Sequence, residues 1–144
     1  MKMYCITIYD NHYDKIKQLG YVPVGLGKKI ISKKFHQDNT GDNISSKNPF
    51  YGEYTFHYWI WKNEINNLND KWIGFCQYRK YWSINNAKKE IKTIKELNEN
   101  LLKNISSEYD KFDVILGEPL FINQFKLSKF LKKNFFKILK KPEY

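Results

Sequence analysis

The sequence predicts an α/β domain with a mainly parallel sheet. Short runs rich in β-branched and aromatic residues alternate with stretches of helical apolar spacing, as in βαβ units. The run at 72–76 (WIGFC) is continuously apolar, which is typical of a strand covered on both faces. The 144 residues, 17% of them aromatic, are enough for one domain with a substantial core.

The first elements are two short strands. Residues 3–9 (MYCITIY) are rich in β-forming side chains and are predicted to form the first strand. A polar connection over 10–19 ends at Gly20, and 21–24 (YVPV) is predicted to be the second strand. The following Gly25-Leu26-Gly27 lacks the third glycine and the helix start of a phosphate loop, so it is weak evidence for one.

A polar loop and an aromatic helix come next. Residues 38–43 (DNTGDN) are turn formers, and Pro49 suits the first position of a helix that we predict to extend to about Asn67. Phe56 and Trp59 lie off the main apolar stripe of this helix, so we expect the helix to be covered on more than one side. The stripe that we expect to be buried recurs at spacings of three and four and comprises Tyr51, Tyr54, Tyr58, Trp61, Ile65 and Leu68.

The remaining chain predicts three further elements. Helically spaced apolar residues over 91–105 predict an amphipathic helix that packs on the sheet. Residues 112–116 (FDVIL) are predicted to form a buried strand. The tail at 125–141 (FKLSKFLKKNFFKILKK) predicts a basic amphipathic helix. We therefore expect an α/β domain over 1–124 and a separate C-terminal helix over 125–144.

The charge balance favours polyanionic partners. Lysine and arginine total 25 against 15 aspartates and glutamates, which gives a formal net charge of +10. An excess of this size attracts phosphorylated substrates, anionic lipid headgroups or nucleic acid, although much of it can equally be solvated surface.

The remaining composition favours a cytoplasmic location. Cys5 and Cys76 lie in apolar runs, as buried free thiols of a reducing compartment do. The histidines are scattered without zinc-type spacing, the N-terminal apolar run ends too early for a signal peptide, and no segment reaches the length of a membrane span. The tail at 125–141 can contact the inner membrane peripherally, or dock on its own domain or a partner.

The end of the 72–76 strand is the candidate ligand site. With period-two alternation, Gln77, Arg79 and Tyr81 share one face, and Tyr78, Lys80 and Trp82 share the other. In open α/β sheets, ligands bind outside the carboxyl ends of the strands. An arginine and a lysine at such an end, flanked by aromatic side chains, indicate a site for an anionic ligand.

Four sequence blocks carry a family resemblance. VPVGLG at 22–27, DNTGDNISSKN at 38–48, YGEYTFHYWIWKN at 51–63 and WIGFCQYRKYW at 72–82 occur in this order. Together they resemble DUF4422, a family of bacterial capsule and exopolysaccharide biosynthesis proteins. FDVILGEP and the final PEY match later family features more loosely.

The resemblance implies a glycosyltransferase-like protein with a single GT-A-like (Rossmann-like) domain. Such a protein transfers a sugar, for example a hexose, from a nucleotide-diphospho-sugar to a glycan or lipid-linked acceptor. Family members commonly carry His-Tyr-Arg-Arg-Tyr where this chain has Gln77-Tyr78-Arg79-Lys80-Tyr81, so no role is expected for that histidine. They also extend further, so we expect the domain to be incomplete.

The chemistry of sugar transfer assigns roles to these residues. The sequence contains no Asp-x-Asp motif, so we expect Arg79, assisted by Lys80, to stabilise the departing diphosphate, with no cofactor and no divalent metal. Glu53 is a candidate base or sugar contact, or else one partner of an ordinary hydrogen-bonded pair. The candidate substrate-binding residues are Asp42, Asn43, Asn63, Gln77, Tyr78 and Tyr81. Turn formation or capping is the alternative for the two loop residues Asp42 and Asn43, and core packing is the alternative for the two tyrosines.

Two other functions stay open at this point. KWIGFCQY at 71–78 partly matches an RNA-recognition strand motif, but Trp72 replaces its first glycine, so no specific nucleic acid partner is expected. The basic tail allows a non-catalytic scaffold at a membrane surface. Binding of a nucleotide sugar, salt-dependent binding of RNA and flotation with liposomes distinguish the three.

Overall fold

The computed structural model describes residues 1–27, 32–84 and 91–117. The chain divides into two compact units, Met1–Lys111 and Phe112–Tyr144. All helices and strands given below belong to the first unit. The predicted C-terminal helix at 125–141 lies outside the described residues.

A three-stranded sheet forms the centre of the first unit. Its strands are β1 (Lys2–Thr7), β2 (Val22–Gly25) and β3 (Ile73–Gln77). β1 lies in the middle and pairs in parallel with both neighbours, in the order β2-β1-β3. The α/β class and the parallel sheet predicted from the sequence are confirmed.

Among the described residues, four α-helices and several short 3₁₀ helices lie between the strands or follow β3. Most of the 3₁₀ turns lie directly before or just after an α-helix. The α-helices are α1 (Tyr13–Gln18), α2 (Asn48–Tyr51), α3 (Tyr54–Asn63) and α4 (Ile94–Asn100), and the 3₁₀ turns lie at Asp10–His12, Ser45–Lys47, Ile65–Asn67 and Ser107–Lys111.

Both faces of the sheet are covered by apolar side chains. Alternate residues of β1 point to opposite faces, so Met3 and Cys5 join one cluster while Tyr4 and Ile6 join the other. The first cluster contains Met3, Cys5, Ile16, Leu19, Tyr21, Cys76 and Leu101, and the second contains Tyr4, Ile6, Val24, Leu26, Phe56, Trp59 and Ile60. α1 therefore covers the first face and α3 covers the second.

The prediction of one helix from Pro49 to Asn67 is wrong. α2 ends at Tyr51, and Gly52 follows with φ 57° and ψ −129°. A positive φ is readily adopted only by glycine, so the chain turns here before α3 begins at Tyr54. α3 then ends at Asn63, ahead of a separate 3₁₀ turn.

The main buried face predicted for this helix is also wrong, although Phe56 and Trp59 are covered, as expected for a second side. In α3 the buried residues are Thr55, Phe56, Trp59 and Ile60. Tyr51, Tyr54 and Trp61, which belong to the predicted stripe, are exposed instead. Both sets satisfy helical spacing, and the break at Gly52 removes the continuity that favoured the longer stripe. Packing against β1 decides between the two sets.

Two predictions for the later chain are corrected. The helix expected over 91–105 is reduced to α4, whose start is capped by Thr93 Oγ1 accepting from the Glu96 amide at 3.1 Å. Residues 112–116 form no strand. An apolar run of that length becomes a strand only when another strand pairs with it, and none of the described segments does so. No helix in the described ranges is long and apolar enough to cross a membrane.

The corrected face of α3 generates a stability prediction. Phe56 is fully buried at 0% exposure, whereas Phe50 in α2 is 88% exposed. We expect Phe56→Ala to lower the free energy of unfolding by about 3–5 kcal/mol, because it leaves a cavity beside Tyr4 and Trp59. Phe50→Ala is the matched control and should change it by less than about 0.5 kcal/mol. Urea denaturation measures both, and similar losses would contradict the assigned face.

Candidate functional site

The carboxyl ends of the three strands lie side by side at one edge of the sheet. β1, β2 and β3 end at Thr7, Gly25 and Gln77. The amide of Leu26 donates to the carbonyl of Thr7 at 3.0 Å, and the amide of Tyr78 donates to the carbonyl of Ile6 at 3.0 Å. These bonds keep the three chain ends together as they leave the sheet. This carboxyl edge is where parallel α/β sheets bind ligands.

β3 ends in a tight turn that presents two cations. The Gln77 amide donates to the Lys80 carbonyl at 3.2 Å, and the Lys80 amide donates to the Gln77 carbonyl at 2.9 Å. Tyr78 and Arg79 occupy the corner of this turn. Arg79 and Lys80 are exposed, and Arg79 makes no ion pair with any other described residue. Its guanidinium carbon lies 5.5 Å from the centroid of the Tyr78 ring.

The predicted alternation of faces over 77–82 is wrong because the strand ends at Gln77. Period-two alternation holds only in extended backbone, and the turn breaks it. Tyr78, Tyr81 and Trp82 all pack against the same apolar cluster on the α1 face. Burial raises the pKa of the Tyr81 hydroxyl above its ordinary range. Its side chain therefore contributes to core packing at this position.

A histidine from the segment after β1 joins the turn of β3. His12 Nδ1 lies 2.8 Å from Thr7 Oγ1, which also accepts the Tyr9 amide at 3.1 Å. The rings of His12 and Tyr78 are 4.7 Å apart, and those of Tyr9 and Tyr78 are 5.6 Å apart. Burial, and then the positive charge of Lys15, lowers the pKa of His12 and favours the neutral imidazole.

Glu53 and His57 reach the same strand end from α3. Gln77 Nε2 donates a hydrogen bond to Glu53 Oε2. The His57 ring follows one helical turn later and lies 4.3 Å from the Phe75 ring. Burial lowers the pKa of His57 and outweighs the opposing effect of the Glu53 carboxylate. The neutral form of the His57 imidazole is therefore favoured on this face, beside the Glu53 side chain.

The loop before α2 is fastened to α3 by Asn63. Asn63 Oδ1 accepts the Asp42 amide at 3.0 Å, and Asn63 Nδ2 donates to the carbonyls of Asp42 at 2.8 Å and Trp59 at 2.9 Å. The Trp59 indole N–H donates to the Thr40 carbonyl at 2.7 Å. Tyr58 donates its hydroxyl to Asp42 Oδ1 at 3.1 Å. Asn63 is therefore a positioning residue for this loop.

Asn43 is also engaged within the loop. Its Nδ2 donates to the Gly41 carbonyl at 2.9 Å, and its Oδ1 accepts the Ser45 hydroxyl at 2.9 Å. These contacts form the local turn that such a side chain favours.

Two concavities lie away from the carboxyl edge. One of about 220 Å³ is lined by Met1, Trp72 and Asp110 among others, and a second of about 210 Å³ is lined by Met1, Met3 and Leu19 among others. Because Met1 precedes β1, both open near the amino ends of the strands. Over 1–27, 32–84 and 91–117, no group of three or more His, Cys, Asp or Glu side chains is arranged to hold a metal ion.

Comparison with known families decides the membership. Residues 3–140 match the family model described as Domain of unknown function (DUF4422). The chain belongs to the DUF4422 family. Neither a curated protein nor a solved structure matches it.

This DUF4422 chain brings part of the predicted site together. Glu53 contacts Gln77 directly, and Tyr78, Arg79 and Lys80 follow Gln77 in the turn of β3. Asp42, Asn43 and Asn63 form a second group in the loop fastened to α3. Tyr81 lies in the apolar cluster.

The sequence did not identify His12 and Thr7 as members of the carboxyl edge of the sheet. The sequence did contain a signal, because Thr7 ends the first strand and His12 follows it in the next short element. The contact of His12 with Tyr78 depends on the parallel pairing of β1 with β3, which local patterns do not specify.

The Asn63 contacts predict a stability cost in this DUF4422 chain. Asn63→Ala removes three hydrogen bonds to loop and helix backbone and should lower the free energy of unfolding by about 1–3 kcal/mol. Hydrogen exchange at the Asp42 amide should become faster. Asn66→Ala is the control, because Asn66 is exposed in the neighbouring 3₁₀ turn. Unchanged exchange at Asp42 in Asn63→Ala would contradict the assignment.

His57 predicts a pH dependence of stability in the DUF4422 chain. Its pKa is lowered in the folded state, so below its ordinary value of 6.5 the unfolded chain binds the proton more readily. Stability should therefore fall as the pH drops below 6.5, by at most about 1.4 kcal/mol per pH unit from this residue. His57→Gln should reduce the loss measured by urea denaturation between pH 7.5 and 5.5. Parallel losses in both proteins would rule out this contribution.

Proposed function

We propose that this protein is a glycosyltransferase-like protein of surface polysaccharide biosynthesis. It binds a nucleotide-diphospho-sugar at the carboxyl edge of its GT-A-like sheet and transfers the sugar to a glycan or lipid-linked acceptor. The observation that supports this most is the turn after β3, which presents Arg79 and Lys80 exposed at that edge. Arg79 makes no ion pair with another described side chain, so its guanidinium is available to an anion.

The two cations suit the leaving group of this reaction. When the bond between the sugar carbon and the phosphate oxygen breaks, its electron pair goes to the nucleoside diphosphate. Negative charge then grows on the phosphate oxygens, where fixed donors lower the barrier. Arg79 offers a planar pair of N–H donors for a phosphate, and Lys80 adds a second positive charge. In this proposal side-chain cations do for the diphosphate what a metal does in Asp-x-Asp transferases.

Glu53 suits the acceptor side of the reaction. The acceptor hydroxyl must lose its proton as it attacks the sugar carbon, and a positioned carboxylate can accept that proton. Gln77 donates to Oε2 of Glu53 and so fixes its orientation. We assign Glu53 as the base and Gln77 as its positioning partner. Tyr78 supplies a ring surface beside the cations. Asp42 supplies a carboxylate from the loop. The other proposed substrate-binding residues lie outside the turn of β3 and are Asn43, Asn63 and Tyr81.

The surroundings of the reaction are part of the proposal. A cytoplasmic protein meets nucleotide sugars directly, and lipid-linked acceptors lie at the inner membrane surface. The lysine-rich sequence at 125–141 supports a peripheral contact with anionic headgroups. Flotation with liposomes that contain anionic lipid, compared with neutral liposomes, tests this contact separately from nucleotide-sugar binding.

Arg79→Ala should abolish transfer and weaken the binding of the nucleotide sugar about 10- to 100-fold. This is the loss expected for a hydrogen bond to a charged group. Arg79→Lys, which keeps the charge but loses the paired donors, should bind with intermediate affinity. Thermal shift against UDP-glucose, UDP-N-acetylglucosamine and GDP-mannose identifies the donor, with and without magnesium, and calorimetry then measures its affinity.

Lys17→Ala is the matched control, because Lys17 is an exposed cation of α1. It should bind the donor like the wild type. The melting temperature of Arg79→Ala without ligand should also be unchanged, since the side chain is exposed. Full activity or unchanged affinity in Arg79→Ala would end the proposal.

A further inference from the structure

Asp38 is a buried carboxylate that has no partner among the described residues. Its side chain is 5% exposed, and its Oδ2 atom is buried with no hydrogen-bond partner. Within the described part of the chain Asp38 also forms no ion pair. Buried polar groups are almost always hydrogen-bonded, and an isolated buried carboxylate is costly. Such a residue needs an explanation that packing does not provide.

The backbone places Asp38 at the carboxyl edge. The His36 amide donates to the Pro23 carbonyl at 3.0 Å, and the Gly25 amide donates to the His36 carbonyl at 2.9 Å. His36 and Val24 form a parallel bridge, so the segment runs beside β2 in the same direction as the strand. Two residues later, Asp38 comes past the end of β2, at the edge where Thr7 and Gln77 end their strands.

His36 and Thr40, which lie on either side of Asp38 in the chain, both contact the Trp59 side chain of α3. The His36 ring lies 5.0 Å from the Trp59 ring, and the Thr40 carbonyl accepts the Trp59 indole N–H at 2.7 Å. His36 Nε2 is also 3.0 Å from Glu64 Oε1. The backbone on either side of Asp38 is therefore held in place by two anchored residues.

The rest of the loop differs from Asp38. Asp42 is exposed and accepts the Tyr58 hydroxyl, while Asn43 and Asn63 bond the loop backbone. These three side chains stabilise the loop. The Asp38 side chain also has polar oxygens, but it forms no hydrogen bond or ion pair with another described residue.

We propose that Asp38 is a ligand-contacting residue of the carboxyl-edge site that accepts hydrogen bonds from two neighbouring hydroxyl groups of the nucleotide sugar. The inference rests on the proposed function. An ionised carboxylate only accepts hydrogen bonds and has two oxygens, so a vicinal diol is its matching donor pair. The diphosphate belongs to Arg79 and Lys80, because a carboxylate repels it. Ribose and hexose both offer such a diol.

A ligand-contacting role has a signature that a structural role lacks. Residues kept for binding at the expense of folding can be replaced without loss of stability. Asp38→Asn removes the negative charge at nearly constant volume, so the urea midpoint of the ligand-free protein should stay the same or rise. The affinity for the nucleotide sugar should fall at least tenfold. Asp14→Asn in α1 is the matched control, because Asp14 is exposed, and neither quantity should change.

The experiment uses the full chain, calorimetry and urea denaturation. The probes are UDP-glucose, UDP-N-acetylglucosamine and GDP-mannose, each beside its parent diphosphate. If Asp38→Asn loses affinity for both the nucleotide sugar and its parent diphosphate, the diol that Asp38 binds belongs to the ribose. A loss confined to the nucleotide sugar places it on the hexose.

The remaining outcomes overturn the inference. One outcome is a probe that Arg79→Ala binds poorly but that wild type and Asp38→Asn bind equally well. In that case Asp38 is not part of the site, and the proposed function stands. A lowered midpoint of ligand-free Asp38→Asn assigns a structural role instead. If no probe binds the wild type, the proposed function fails and the Asp38 inference fails with it.

Discussion

The parallel pairing of β1 with both of its neighbours is the constraint on which the structure depends. Because β2 and β3 run in the same direction as β1, the three segments that follow them leave the sheet at one edge. Residues far apart in sequence then become neighbours, as His12 and Tyr78 do. An antiparallel β3 would send Arg79 to the opposite edge, beside the amino end of β1. The candidate site exists only through this direction of pairing.

Burial divides the polar groups of this edge into two kinds. His12 and His57 have lowered pKa values because burial disfavours their charged forms, so both favour the neutral imidazole. Arg79 and Lys80 project into solvent on a turn, where their charge costs nothing. Positive charge is therefore concentrated at the tip of the β3 turn. The proposed binding of a diphosphate uses this concentration of positive charge, and the neutral imidazoles lie beside it.

Local patterns predicted the three strands of the sheet and the cationic strand end, but they also predicted a strand at 112–116 that does not form. They did not predict what depends on distant partners. The apolar run before Gln77 and the charge after it are visible in the sequence. The buried side of α3 was not, because the Tyr54 and Phe56 sets have the same helical spacing and only packing on β1 separates them. Aspartate is a residue type that is common in turns, so the sequence does not indicate that Asp38 is buried. Its burial arises from the pairing of the His36 segment with β2.

The central claim is that the ends of the three strands form a single ligand site. Two-dimensional ¹H–¹⁵N NMR of the labelled chain, titrated with the nucleotide sugar that binds it, tests this most directly. The account predicts that the amide signals of Ile8, Leu26 and Arg79 shift together and saturate at one concentration. Shifts confined to one of these segments, or centred on Lys2 and Trp72 at the amino ends of the strands, would contradict it.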